Sequence, residues 1–319
     1  MLQGSFANGR YTSTVLFVLS MSVMLAACWL PPAVDSVAQP AVPEFMGGIL
    51  SRVVSMLIYG FSAVLLSRQT FFDRGVKWMG ALYLWFVAMS MFVNGNPLIA
   101  FASLLFLLSV ILLLLCQYST NPVGPFYSSF MILGILCYIM PSSVYFVPLY
   151  LLFCFITNTF SVRGMAASLL GLLTPVWFVM GLAYVFPDVS ALQQIFMDGL
   201  AAVFDIGFSA FSVQYLLLSV FVLAILLPTI FAFVGSSSPS KPLLRRRMSF
   251  LIIAEIYMLL LFCVVDGGSA LFYVCQLPCV AIFASYLLAK KETKLSNVYF
   301  VLVNIILIAI ATFGLWLRL

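Results

Sequence analysis

Long apolar stretches separated by short polar loops set the pattern of this chain. Residues 104–116 are interrupted only by Ser109, and 302–313 run on with only Asn304 and Thr312 intervening. Strands of a membrane barrel would alternate apolar and polar positions over about ten residues, and these stretches do not alternate. A helix that crosses a bilayer needs about 20 mainly apolar residues. Stretches near that length occur at 12–30, 47–66, 77–93, 97–116, 125–140, 143–159, 164–186, 214–234, 249–265, 268–289 and 297–317. The pattern predicts an all-α integral membrane protein, a bundle of about eleven transmembrane helices. Around Met140-Pro141-Ser142 two short spans can also be read as one re-entrant hairpin.

Charge gives a separate test of that alternation, because loops on the cytoplasmic side collect Lys and Arg. With the N-terminus inside, the inner segments hold Arg10, then Arg68, Arg74 and Lys77, then Arg163. They also hold Lys241 with Arg245, Arg246 and Arg247, and finally Lys290, Lys291 and Lys294. Of the 14 basic residues only Arg52 and Arg318 fall on the other side. Asp35, Glu44, Asp188, Asp198, Asp205 and Asp266 collect outside. The expected topology is multi-pass, with the N-terminus cytoplasmic and the C-terminus outside.

Composition excludes a water-soluble domain. The chain is 65% hydrophobic and 7% charged, with a mean hydropathy of +1.21, against about a quarter charged residues in soluble domains. There is no histidine, which removes the commonest general base and metal ligand. The seven cysteines form no C-x-x-C pair and lie in apolar stretches, as small buried hydrophobes do. We expect neither metal nor cofactor. The basic residues sit in short loops between apolar spans, so nucleic acid is not an expected partner.

Three segments stand apart. Leu25-Ala26-Ala27-Cys28 has the form of a lipobox, in which Cys28 would be lipidated, but Trp29 and Leu30 suit an ordinary first span. In 187–213, Ser190 and Gln193 have capping-box spacing. Downstream, Gln194, Asp198, Ala201 and Asp205 share one face, opposite Leu192, Ile195, Phe196, Leu200 and Val203. That predicts an amphipathic helix near 190–206 lying in the outer interface. Finally, 235–249 is rich in Ser and Pro and reads as a cytoplasmic linker. The expected organisation is a bundle of about eight spans over 1–234, a linker over 235–248, and three final spans over 249–319.

Candidate chemistry is sparse. Glu255 is the one ionisable group well inside a predicted span, and such groups are functional candidates by default. It suits proton coupling, or else pairs with a Tyr hydroxyl or Asn304. Arg52, with Asp35 and Glu44 in the preceding loop, makes an outer cluster of one base and two acids. There an Arg clamps a phosphate bidentately and a carboxylate acts as base, unless the cluster is a simple salt bridge. Arg245, Arg246 and Arg247 suit anionic lipid headgroups or serve only to anchor the topology. Turn chemistry alone accounts for Asn94-Gly95-Asn96-Pro97 and Asp266-Gly267-Gly268. Pro148, Pro175, Pro228 and Pro278 interrupt spans, where kinks often border cavities. Thr174 beside Pro175 is placed to satisfy a freed carbonyl. Gly164-x3-Ser168 and Ala167-x3-Gly171 let one span approach a neighbour closely.

The double span around Met140-Pro141, the Ser161-Val162-Arg163 turn and the Leu173-Thr174-Pro175 helix within 126–186 resemble a family of polytopic inner-membrane proteins of Bacteroidota with a domain of unknown function. That resemblance implies a membrane bundle in the bacterial inner (cytoplasmic) membrane and no catalytic residue. A looser likeness, to membrane glycosyltransferases that use lipid-phosphate sugars, rests on an acid in the first outer loop, where Asp35 stands. The long helical first loop of those enzymes is missing here. The leading functional expectation is handling of envelope glycan or lipid-linked intermediates at the outer face by Asp35, Glu44 and Arg52. The alternatives are a proton-coupled transporter or flippase working through Glu255, and a non-catalytic scaffold. Expected partners are membrane lipids, a lipid-linked substrate or other membrane subunits.

Overall fold

The computed structural model describes residues 49–68, 79–89, 96–117, 122–157, 161–185, 213–234, 242–265 and 268–289, with Val18, Ser20, Met21, Ser22, Phe196, Met197, Leu200 and Ile305. Among the described residues every regular element is helical. The elements are α1 (Ile49–Ser67), α2 (Met79–Met89), α3 (Pro97–Leu115), α4 (Val123–Ile139), a 3-10 turn (Pro141–Tyr145), α5 (Phe146–Ile156), α6 (Val162–Val185), α7 (Val213–Val234), α8 (Pro242–Val264) and α9 (Ser269–Ala289). Five are long and apolar enough to cross a membrane: Leu50–Ser67, Pro97–Leu115, Val162–Val185, Leu244–Val264 and Ser269–Leu287. The shorter apolar helices are Met79–Ala88, Val123–Ile139, Pro141–Ile156 and Leu218–Val234. The first and last expected spans, 12–30 and 297–317, fall outside the described residues except for the few positions named above. So does 190–206, apart from Phe196, Met197 and Leu200, which are helical.

Local chemistry explains where these helices begin and break. The Asn96 side-chain oxygen accepts from the Leu98 N–H at 3.1 Å, capping α3 ahead of Pro97. Met140 leaves the helical region at φ −131°, ψ 96°, as a residue before proline tends to do. The chain then turns through the 3-10 segment, pinned by the Ser143 N–H and hydroxyl, which donate to the Met140 carbonyl at 2.9 and 2.7 Å. The break therefore separates two helices, α4 and α5. The last break differs from the sequence expectation. Helix α8 starts at Pro242, seven residues before the apolar stretch, because Pro suits the first helical position and Leu and Arg are good helix formers. Arg245, Arg246 and Arg247 are thus helical, while residues 235–241 of the expected linker fall outside the described residues.

The chain forms two compact units. The first comprises residues up to Phe101, Ala210–Pro239 and Phe272 onward. Within it α1 and α2 pack with little between them: a methyl group at Gly80 would meet the Ala63 carbonyl oxygen, and the Ser67 Cβ at 3.1 Å. Tyr59 and Tyr83 lie across this contact with ring centroids 6.5 Å apart. Phe86 meets Phe221 of α7 edge-on at 5.4 Å. Helix α9 is enclosed on nearly every side, with 83% of its Ser269–Leu287 stretch buried.

The second unit comprises Ala102–Ser209 and Ser240–Leu271. Contacts fix the directions of its helices. Phe106 meets Phe146 and Ser109 bonds to Tyr150, so α3 and α5 run parallel. Ser129 donates to the Ser109 carbonyl at 2.8 Å in the α3–α4 hairpin, and Phe130 meets Tyr150 edge-on at 5.7 Å. Arg246 to Thr157, Phe250 to Phe153 and Tyr257 to Tyr145 are the pairs that set α8 antiparallel to α5. Helices α4 and α6 run parallel in close contact. Gly164 lies beside Phe126, Gly171 beside Tyr127 and Met131, and Gly134 beside Leu172 and Pro175. The expected small-residue face of α6 is what approaches: Gly164, Ala167, Ser168 and Gly171 are its buried residues. The Thr174 hydroxyl donates to the Leu170 carbonyl at 2.6 Å, one residue before the carbonyl that Pro175 frees.

A methyl group at Gly171 would sit 2.5 Å from the Tyr127 carbonyl oxygen, and one at Gly134 2.7 Å from the Leu172 carbonyl oxygen. Backbone cannot swing aside as a side-chain tip can, so the helices must separate. Gly171→Ala and Gly134→Ala are each expected to cost about 1–3 kcal/mol. Gly181→Ala, which meets nothing within 4 Å, is expected to be neutral or slightly stabilising. Unfolding of the detergent-solubilised variants in denaturant checks the contrast.

Candidate functional site

Helix α8 carries the most concentrated chemistry in the structure. Arg247, Leu251, Glu255, Met258 and Phe262 follow one another at helical spacing, and each is at most 1% exposed. They form one buried stripe with a guanidinium near its start and a carboxyl near its middle. At 1.5 Å per residue, the two are about 12 Å apart along the axis. The other side of α8 is uncovered, with Arg245, Arg246, Ile256 and Leu260 exposed.

The two buried polar residues are held differently. Arg247 Nε donates to Oε1 of Gln117, just beyond α3, at 2.7 Å. Its neighbour Arg246 donates from Nη1 to the Thr157 carbonyl at the end of α5, at 3.4 Å, where the negative end of a helix favours a cation. Glu255 is fully buried, and among the described residues neither carboxyl oxygen has a hydrogen-bond partner. The contacts between α8 and α5 set the level of Glu255 near Pro148, three residues past the 3-10 turn. Of the expected tyrosine partners, Tyr257 turns its hydroxyl to the Tyr145 carbonyl at 2.8 Å. Asn304 lies outside the described residues. An ionised carboxylate left alone in an apolar interior is costly by several kcal/mol.

The expected outer cluster is not assembled by the described residues. Arg52 lies in the first turn of α1, partly buried, while Asp35 and Glu44 fall outside the described residues. Arg245, Arg246 and Arg247 do not act alike: the first two are exposed and the third is buried. Phe196, on the expected apolar side of the outer helix, is buried and stacks on Tyr138, with centroids 5.0 Å apart and planes at 19°. Among the described residues no group of three His, Cys, Asp or Glu side chains is gathered that could hold a metal ion.

Several buried polar groups carry little or no signal in the sequence. Ser109 donates to the Phe106 carbonyl at 2.8 Å, pairs with the Tyr150 hydroxyl, and has its own carbonyl taken by Ser129, making a polar node amid α3, α4 and α5. Gln276 of α9 is fully buried, with neither side-chain atom bonded among the described residues. Its signal in the sequence is a lone amide in an apolar helix, two residues before Pro278. Gln117 has no such signal, since its partner lies 130 residues away.

Gln117→Leu removes one acceptor of a buried guanidinium and is expected to destabilise the chain by about 1–3 kcal/mol. Gln117→Glu keeps an acceptor and adds a charge opposite the guanidinium, so it retains stability. Thermal unfolding of both variants in the same detergent separates them, and equal losses would contradict the Arg247 contact. Set against known proteins, the chain matches no protein-family model, no curated protein and no solved structure.

Proposed function

We propose that the chain is a multi-pass protein of the bacterial inner membrane, with about eleven spans and a cytoplasmic N-terminus. Three observations support this reading: five long apolar helices and four shorter ones, segregation of the basic residues to alternate loops, and the helix directions within the second unit. Helices α3 and α5 run one way and α4, α6 and α8 the other, as alternating crossings require. A cysteine-accessibility map tests it. On a cysteine-free background, Asp35→Cys and Asp198→Cys are expected to react with a membrane-impermeant thiol reagent in intact cells. Leu243→Cys and Thr293→Cys react only once the membrane is opened, and the reverse pattern inverts the protein.

Within that membrane the function best supported is proton-coupled transport, with Glu255 as the residue that takes up and releases the proton. The observation that carries it is a fully buried carboxyl with no hydrogen-bond partner among the described residues. A structural carboxyl is expected to be paired, whereas a proton carrier must be able to gain and lose its charge as its surroundings change. The 3-10 break at Pro141–Tyr145 supplies nearby backbone outside regular α-helix. The outer-face glycan reading rests on Asp35 and Glu44 and draws no support from the described residues.

Glu255→Gln preserves shape and removes the titratable proton. Reconstituted vesicles with an imposed pH gradient, screened for uptake of labelled amino acids, sugars and nucleosides, give the measurement. The wild type is expected to accumulate its solute above the equilibrium level. The variant is expected to lose accumulation while still exchanging solute across the membrane. Gradient-driven accumulation by Glu255→Gln equal to that of the wild type refutes the assignment.

A further inference from the structure

One end of the second unit is basic, and the helix that rises from it is largely uncovered. The contacts of Arg247 with Gln117, Arg246 with Thr157 and Gly164 with Phe126 bring together the end of α3, the start of α4, the end of α5 and the starts of α6 and α8. Arg163, Arg245 and Arg246 are exposed there. Glu255 is the only carboxylate among the described residues, and it lies about 12 Å along α8 from Arg247. No described acid therefore offsets the exposed guanidiniums.

From this end α6 presents an apolar strip. Val162, Met165, Leu169, Leu173 and Trp177 are exposed, Trp177 by 79%. Only 17% of Val162–Val185 is buried, less than in any of the other four long apolar helices. A free phosphate would satisfy the arginines and leave this strip as it was. A molecule with a phosphate at one end and hydrocarbon behind it satisfies both. A zwitterionic headgroup would also bring an ammonium, for which no described carboxylate waits.

We propose that this end of the unit binds the phosphate of an anionic phospholipid through Arg163, Arg245 and Arg246, with the acyl chains lying along the exposed face of α6. Arg247 sits behind them, holding α8 to Gln117. The assignment rests on the membrane reading above but is independent of proton coupling at Glu255. A chain that passes the cysteine-accessibility test and fails the one below loses this site alone.

The test uses the full chain purified in a neutral detergent, with the thermal unfolding midpoint followed during titration of dioleoyl phosphatidylglycerol, dioleoyl phosphatidylcholine or inorganic phosphate. Phosphatidylglycerol is expected to raise the midpoint saturably, and the other two to leave it unchanged. A charge contact of this kind contributes about fivefold in affinity per arginine. Combining Arg163→Gln, Arg245→Gln and Arg246→Gln is therefore expected to move the half-maximal concentration upward more than tenfold. Should the triple variant fail to fold, Arg245→Gln alone is expected to move it about fivefold, and Arg52→Gln not at all. Equal response to phosphatidylcholine, full response to phosphate alone, or an unshifted titration in the arginine variants each overturns the proposal.

Discussion

Backbone polarity is the constraint on which the structure depends. With only 7% charged residues, most of the hydrogen-bonding groups in this chain are its own amides, and an apolar surrounding offers them no substitute partner. Helices satisfy them within the segment, and the small polar side chains are drawn into the same service. Ser55 donates to Ser51, Ser62 to Ile58, Thr157 to Phe153 and Thr229 to Ile225, each reaching back one turn of its own helix. Hydroxyls engaged in this way do little to hold one helix to the next. Packing between helices then falls to shape, which is why glycine at 80, 134 and 171 matters where the backbones meet.

Against that background the few polar side chains that cross between helices carry specific information. Ser109, Ser129 and Tyr150 fix the relative heights of α3, α4 and α5. Gln117 and Arg247 tie the end of α3 to the beginning of α8. Each is a directional bond in a setting where apolar contacts alone would tolerate sliding. Glu255 and Gln276 are different, because they are enclosed without a described partner, and in neither case does packing account for the residue type.

The helices were legible because one signal, apolar length, dominates the sequence. The expected 97–116 and 268–289 differ by one residue at one end from Pro97–Leu115 and Ser269–Ala289. Boundaries failed where the helix outran its apolar stretch, as at Pro242, since propensity and capping extend a helix into polar sequence. The small-residue face of α6 was readable from its i, i+4 spacing. Which neighbour it meets was not, because the contact of α4 with α6 joins elements separated in the chain by α5 and depends on shape. Glu255 was legible as a candidate from its position alone. Its lack of a partner was not, since Tyr257 could as well have turned inward. Of the outer cluster, only Arg52 lies among the described residues.

Arg247 and Glu255 ride on the single unbroken helix α8, and a helix transmits rotation about its axis along its length. The Arg247 end is tethered to Gln117, while the carboxyl eight residues on has no described tether. Turning or sliding α8 would carry both groups together, and would have to break the Tyr257–Tyr145 bond as well as the Arg247–Gln117 bond.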